Sequence, residues 1–278
     1  MERIKKALEL AYEQRDALLA RNVGAAIGSQ RLVPPSAAHA THDFTETVIC
    51  KTPLVELDDK VRESERMLPA GAGGPHGGAY KMLRTQVLRR LDSLGANTLG
   101  ILSAGSGDGK TLTAINLAIA IAADPARTAM LIDFDLRNPG IHRSFHYEPP
   151  VGVEECLQKR WPVRDAMFKV AGYEGLTVLA AKQRIERSSE LLAASYTGEI
   201  VEEMRTRYAN RVLVFDLPPV LQADDALAFM RNMQAGLLVI GEGRTKREDV
   251  PRTLELLRDL PFVGTVLNAS RQSLESYY

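Results

Sequence analysis

The sequence predicts an α/β fold on a doubly wound, mostly parallel sheet, and three observations carry that prediction. Residues 104–111 read Ala-Gly-Ser-Gly-Asp-Gly-Lys-Thr, a phosphate-loop pattern that follows an apolar strand at Thr98–Leu102 and opens a helix. On that helix Leu112, Ile115, Ile119 and Ala122 recur on one face. Beyond it, strand and helix patterns alternate to the end of the chain, and two of the strands finish in carboxylates, at Asp133/Asp135 and at Asp216. Such alternation predicts helices on both faces, with ligands at the carboxyl ends of the strands.

Taken in order, Glu2 to Arg21 reads as a helix with Ile4, Leu8, Ala11 and Leu18 on a narrow stripe. Residues 22–43 have linker composition, and Val48-Ile49 with Leu54–Leu57 forms a short apolar patch before a glycine-rich break at 70–78. Residues 1–78 are therefore expected to be an appendage of helix and flexible linker, 79–268 the compact domain, and 269–278 a tail. A basic helix at Tyr80–Leu91 leads into the loop strand. Further strands are expected at Ala129–Phe134, Leu176–Leu179, Val212–Phe215, Gly236–Ile240 and Val263–Leu267. Helical pieces are expected around Val153–Leu157, Val163–Val170 and Glu190–Tyr208, from Ala226, and up to Arg258, where Pro251 suits a first helical turn.

Composition narrows the function classes. With 278 residues, 45% hydrophobic and 25% charged, the chain is an ordinary globular one, and 35 basic against 35 acidic residues leave no footprint of a nucleic-acid binder. Cys50 and Cys156 stand alone and read as inert thiols of a reducing compartment. No apolar run approaches the roughly 20 residues of a membrane span, and Met1 to Arg15 lacks an apolar signal core, so the expected location is the cytosol. His142 and His146 lack ligand spacing and read as surface residues.

The chemistry lies in the loop and the acids. Gly105, Gly107 and Gly109 free the backbone to wrap an anion, with Ser106, Asp108 and Leu112 completing the cradle. Lys110 reaches terminal phosphates, and the Thr111 hydroxyl suits a bridging Mg²⁺. Asp133 and Asp135, two apart, face one side of their strand. One can hold the metal while the other takes a proton from a hydroxyl such as a tyrosine's, whose ordinary pKa is near 10. Asp216, before Leu217-Pro218-Pro219, supplies a further metal-associated carboxylate; Asp224 and Asp225 read as helix caps.

With these motifs, Asp133-x-Asp135-x-Arg137 and Asp216-x-Pro218-Pro219 above all, the chain resembles the bacterial tyrosine kinases of capsule and exopolysaccharide synthesis. Weaker similarities run through Asn138-Pro139, Ser189–Leu192, Asp225-Ala226 and Val266–Asn268. The resemblance implies a Min/Par-like phosphate-loop architecture and ATP- and Mg²⁺-dependent autophosphorylation on tyrosine. It implies Lys110, Asp133, Asp135 and Asp216 as catalytic residues, with Thr111, Asp133 and Asp216 around the metal. Arg137 and Asn268 would join the loop in binding nucleotide, Asn268 near the base. Tyr277 and Tyr278 would accept phosphate between subunits of a homo-oligomeric ring; ten extended residues beyond Asn268 reach about 33 Å. A membrane-embedded chain-length regulator would activate the kinase and hold it at the inner face of the plasma membrane, and a cognate tyrosine phosphatase would oppose it. Ser106 and Asp108 depart from the family's proline and glutamate. Gly78, Lys81 and Arg84 occupy the places of the Glu-x-x-Arg-x-x-Arg oligomerisation helix. A Min/Par-type ATPase switch shares the sheet, but Gly105 stands where those proteins place a lysine. A nucleotide-gated scaffold of a polysaccharide machine is a third reading.

Overall fold

The computed structural model describes residues 52–270 apart from 75 and 209; the expected N-terminal helix and the tyrosine-bearing tail lie outside them. The strands are β1 (Leu54–Val55), β2 (Thr98–Ser103), β3 (Thr128–Asp133), β4 (Met167–Val170), β5 (Leu176–Leu179), β6 (Arg211–Asp216), β7 (Ala235–Gly241) and β8 (Phe262–Asn268). The helices are α1 (Asp59–Ser64), α2 (Gly77–Leu94), α3 (Lys110–Ala122), α4 (Ile141–Ser144), α5 (Val153–Lys159), α6 (Ser188–Ala193), α7 (Ser195–Arg207), α8 (Asp225–Phe229) and α9 (Asp249–Leu256). One sheet runs in the order β1-β4-β5-β3-β6-β2-β7-β8, with every pair parallel except β4 and β5. This is the expected mostly parallel, doubly wound architecture.

Period-two alternation divides the apolar strands between two cores. Ala129 and Leu131 of β3, with Val212 and Val214 of β6, face the core that contains α3, while Met130, Ile132, Leu213 and Phe215 face the other. There Phe134, Phe215 and Phe229 stack with centroids 4.9 to 5.3 Å apart. The same parity aims Asp133 and Asp216, the next odd and even members of those rows, at the α3 face. The two acids are register partners on adjacent strands.

Four expectations need correction. Residues 54–72 belong to the packed unit: β1 extends the sheet, and Leu57, Met67, Leu68 and Ala72 are buried in the core. Buried Asn116 on α3 fastens them, accepting the Leu68 N–H at 2.8 Å and donating to the Arg66 carbonyl at 2.9 Å. Residues 163–170, expected as helix, form a short 3-10 turn and then β4, because Phe168 and Val170 alternate into the core with Lys169 outside. The expected long helix at 190–208 is two, divided at Ala194, whose extended backbone ends α6 and starts α7. Asp224 and Asp225 make no side-chain cap on α8; both bond Arg137 instead.

Candidate active site

β2 ends at Ser103 and the chain turns through the phosphate loop into α3, whose first residue is Lys110. Gly107 and Gly109 take φ of 82° and 89°, a left-handed backbone that favours glycine. At Gly109 a Cβ would also run into the Asn268 amide. The loop is braced from three sides. Val220 and Leu221, just past the prolines that end the β6 ladder, donate their N–H groups to the Ser103 and Ala104 carbonyls at 2.9 and 3.3 Å. The Ser106 hydroxyl donates to Gln222 Oε1 at 2.7 Å, and Asn268 Nδ2 donates to the Asp108 carbonyl at 3.0 Å. The buried Asp108 carboxylate accepts the Gly105 N–H at 3.1 Å and the Thr245 hydroxyl at 2.7 Å. Arg244 caps the tip, donating to the Gly107 carbonyl at 2.7 Å. The N–H groups of Ser106, Gly107 and Gly109 have no acceptor among the described residues, as an anion cradle requires.

The Lys110 ammonium lies 2.7 Å from Asp135 Oδ2, 3.7 Å from Asp216 Oδ1 and 3.5 Å from the Thr111 hydroxyl. Burial works against its charge, but the Asp216 and Asp135 carboxylates outweigh this and raise its pKa. Asp133 is fully buried. Its Oδ2 accepts the N–H groups of Gly140 and Ile141, each at 3.0 Å, while Oδ1 is buried without a partner. Burial, with the neighbouring Asp216 charge, pushes the Asp133 carboxyl well above the ordinary range. Burial raises Asp216 too, against the pull of Lys110 and the Thr111 hydroxyl, and neither of its oxygens has a partner at full hydrogen-bond distance.

Three buried carboxylate oxygens that lack a hydrogen bond, Asp133 Oδ1 and both of Asp216, beside a threonine hydroxyl are the donor set a hard cation uses, so these residues fit Mg²⁺. No three His, Cys, Asp or Glu side chains converge as a ready cage among the described residues.

The structure thus brings together Lys110, Thr111, Asp133, Asp135 and Asp216 and sets Asn268 against the loop. Leu112 follows on the first turn of α3. Arg137 is placed otherwise: its Nε bonds Asp225 Oδ2 at 2.6 Å and its Nη2 bonds Asp224 Oδ1 at 3.0 Å, so it ties the end of β3 to α8. Tyr277 and Tyr278 lie outside the described residues. His146 is exposed, whereas His142 is half-buried, its pKa lowered by burial. Cys156 is a buried thiol pushed up to about 12 by burial, in keeping with an inert role. Sequence reasoning missed Gln222, whose link to the loop exists only once β6 lies beside β2, and Arg244 and Thr245, whose links need β7 beside β2.

No family model matches the chain. It is 29% identical over 201 residues to the tyrosine-protein kinase YwqD of Bacillus subtilis, covering 72% of this chain and 83% of that protein. With CpsD of Streptococcus pneumoniae it shares 27% over 203 residues, covering 71% and 86%. It shares 32% over 180 residues with the succinoglycan biosynthesis transport protein ExoP of Rhizobium meliloti, 62% of this chain but 22% of that longer one. Among solved structures, the VpsO kinase domain aligns with TM-score 0.60 and 26% identity over 69% of this chain and 93% of that one. The Escherichia coli Etk kinase domain aligns with TM-score 0.67 and 23% identity over 81% and 91%. The phosphate loop, the paired acids of β3 and the acid of β6 followed by two prolines stand together in a sheet of this topology, and the relatives to which the chain is similar over most of its length are bacterial tyrosine kinases.

Proposed function

We propose that the chain is an ATP- and Mg²⁺-dependent tyrosine autokinase that regulates exopolysaccharide synthesis or export and phosphorylates Tyr277 and Tyr278 between subunits. The observation that carries the reading is Lys110, held between Asp135 and Asp216 at the mouth of a loop whose amides are free. Residues 105–112 take the phosphates, and Asn268, already against the loop, borders the base. Thr111, Asp133 and Asp216 hold the metal. When bound, Mg²⁺ neutralises charge on the β- and γ-phosphates. Lys110 offsets the charge of the transferred group. Its move toward phosphate releases Asp135, which then accepts the phenolic proton as the tyrosine oxygen attacks the γ-phosphorus and the bond to the bridging oxygen breaks, leaving ADP. Arg137 is not given a nucleotide role, because two carboxylates already occupy its guanidinium.

A membrane-embedded chain-length regulator as activator, a homo-oligomeric ring, an opposing tyrosine phosphatase and attachment to the inner face of the plasma membrane through the partner belong to the same reading. The similarity to ExoP supports the polysaccharide setting. Among the described residues no helix is long and apolar enough to cross a membrane, so such attachment calls on a partner or the remaining segments.

Purified protein incubated with labelled ATP and Mg²⁺, with and without the membrane partner, tests the proposal. Phosphotyrosine at Tyr277 or Tyr278 that disappears in Lys110→Ala is the expected result. Steady phosphate release without label would point to an ATPase switch, and bound nucleotide with neither would point to a scaffold.

A further inference from the structure

We propose that Arg143 is a specificity-determining residue that reads an acidic side chain two positions before the acceptor tyrosine, which makes the preferred substrate an acid-x-Tyr segment. The inference rests on the kinase reading and deepens it. Its starting point is Asp133, whose Oδ2 holds the N–H groups of Gly140 and Ile141 and so fixes the start of α4 against the end of β3. Arg143 is carried with it. A methyl group placed on Gly140 would lie 3.7 Å from Thr111 Cγ2 and 3.9 Å from Arg143 Nη2, so the guanidinium and the threonine of the phosphate loop flank the same point.

The charge on Arg143 is uncommitted. Its guanidinium donates to the neutral Asn138 Oδ1 at 3.2 Å and forms no ion pair among the described residues. Arg127, Arg137, Arg205, Arg207 and Arg258 each pair with a carboxylate. An exposed, unpaired cation at the rim of a transfer site suits an anionic group that arrives with the substrate. Lys110 and the unpaired loop amides already supply groups for the phosphates, which leaves Arg143 for another anion. The chain's own acceptor segment supplies the match: Leu274-Glu275-Ser276-Tyr277-Tyr278 places an acid two residues before Tyr277. In extended chain, residues two apart project to the same side about 6.8 Å from each other. The span from Thr111 Cγ2 to Arg143 Nη2 cannot exceed the sum of the two distances above, so both lie within reach of one short extended segment. A tyrosine presented beside Thr111 therefore brings its preceding acid to Arg143.

The test uses the full chain with Tyr277→Phe and Tyr278→Phe as enzyme, and the full chain carrying Lys110→Ala as substrate, which cannot label itself. Hexapeptides corresponding to 273–278 serve as a second substrate set. With an exposed pair as the expected interaction, Glu275→Gln in the substrate should lower kcat/KM about three- to fivefold and Glu275→Lys more. Arg143→Glu in the enzyme should reverse the order, so that the Glu275→Lys substrate is preferred, a rescue that a folding defect would not produce. Equal loss on all substrates in Arg143→Ala would overturn the inference and assign the residue to the phosphates, with the kinase reading intact. Indifference of the parent enzyme to residue 275 would overturn it as well. Absence of label in every combination would remove the kinase reading and this inference with it.

Discussion

On the proposed reading Asp133 serves a metal at the expense of the fold, and Asp133→Asn should expose that trade. The carboxylate is fully buried, two backbone N–H groups satisfy one oxygen, and the other has no partner. Leaving a buried charged acceptor without a partner costs upwards of about 1–3 kcal/mol, more than a neutral amide in the same place. The amide of asparagine keeps an oxygen for Gly140 and Ile141 while removing the charge. For a domain of this size each kcal/mol moves the melting temperature by about 2–4 °C, so in EDTA the variant should melt about 2–12 °C above the parent. The pH dependence fixes the sign. Burial raises the folded-state pKa of Asp133 above the ordinary 3.8, so the native state binds its proton more tightly than the unfolded chain does. The parent therefore loses stability as pH rises from that ordinary value through the raised one, and the gap between variant and parent should open over the same interval and close in acid. Mg²⁺ with ATP should reverse the ranking, because ligand binding stabilises only the parent appreciably. Differential scanning fluorimetry across pH, with and without Mg²⁺ and ATP, measures all three. A variant that melts below the parent in EDTA, or a gap that does not change with pH, would refute the reasoning.

Two other substitutions test the packing around the site. Asn116→Ala strips partners from the Leu68 N–H and the Arg66 carbonyl, and a loss of about 2–4 kcal/mol in urea unfolding is expected, which would establish residues 66–68 as part of the cooperative unit. Arg137→Ala leaves the buried Asp225 carboxylate without its cation and should cost about 1–3 kcal/mol in thermal unfolding while ATP affinity, followed by fluorescence titration, stays within about threefold. A larger loss of affinity at unchanged stability would return Arg137 to the nucleotide site.

The sheet was legible because its central strands are short apolar runs with acids or a glycine loop at their ends; parity put Asp133 and Asp135 on one side of their strand, but that Asp133 and Asp216 share the α3 face needed the register of β3 and β6. What escaped was whatever depends on contacts between distant segments. Leu54–Val55 is too short to announce a strand, and it becomes one only through pairing with Lys169 and Val170. Phe168 and Val170 were read as a helical piece, since a run so short fits either period until β5 lies beside it. Asp225 looked like a cap because an acid before a helix usually is one. Its partner, Arg137, is far away in sequence, and no local rule weighs a cap against a distant guanidinium.

The phosphate loop shows how departures from a family pattern can be absorbed. Where relatives of this type place proline, Ser106 lacks a fixed φ, yet its hydroxyl is held by Gln222, so a hydrogen bond to the turn after β6 takes over part of the restraint. Where they place glutamate, Asp108 is one methylene shorter, yet it spans from the Gly105 N–H to the Thr245 hydroxyl, which in turn accepts the Gly241 N–H at 2.8 Å. The close approach of Gly241 makes the shorter acid sufficient: a Cβ there would come within 3.1 Å of Asp108 Cα. β7 thus passes near enough for its outgoing turn to meet the loop. The loop's shape is therefore a property of three strand ends and not of its own eight residues, and substitutions at Gln222 or Thr245 should act on the proposed nucleotide site although no phosphate-loop pattern includes them.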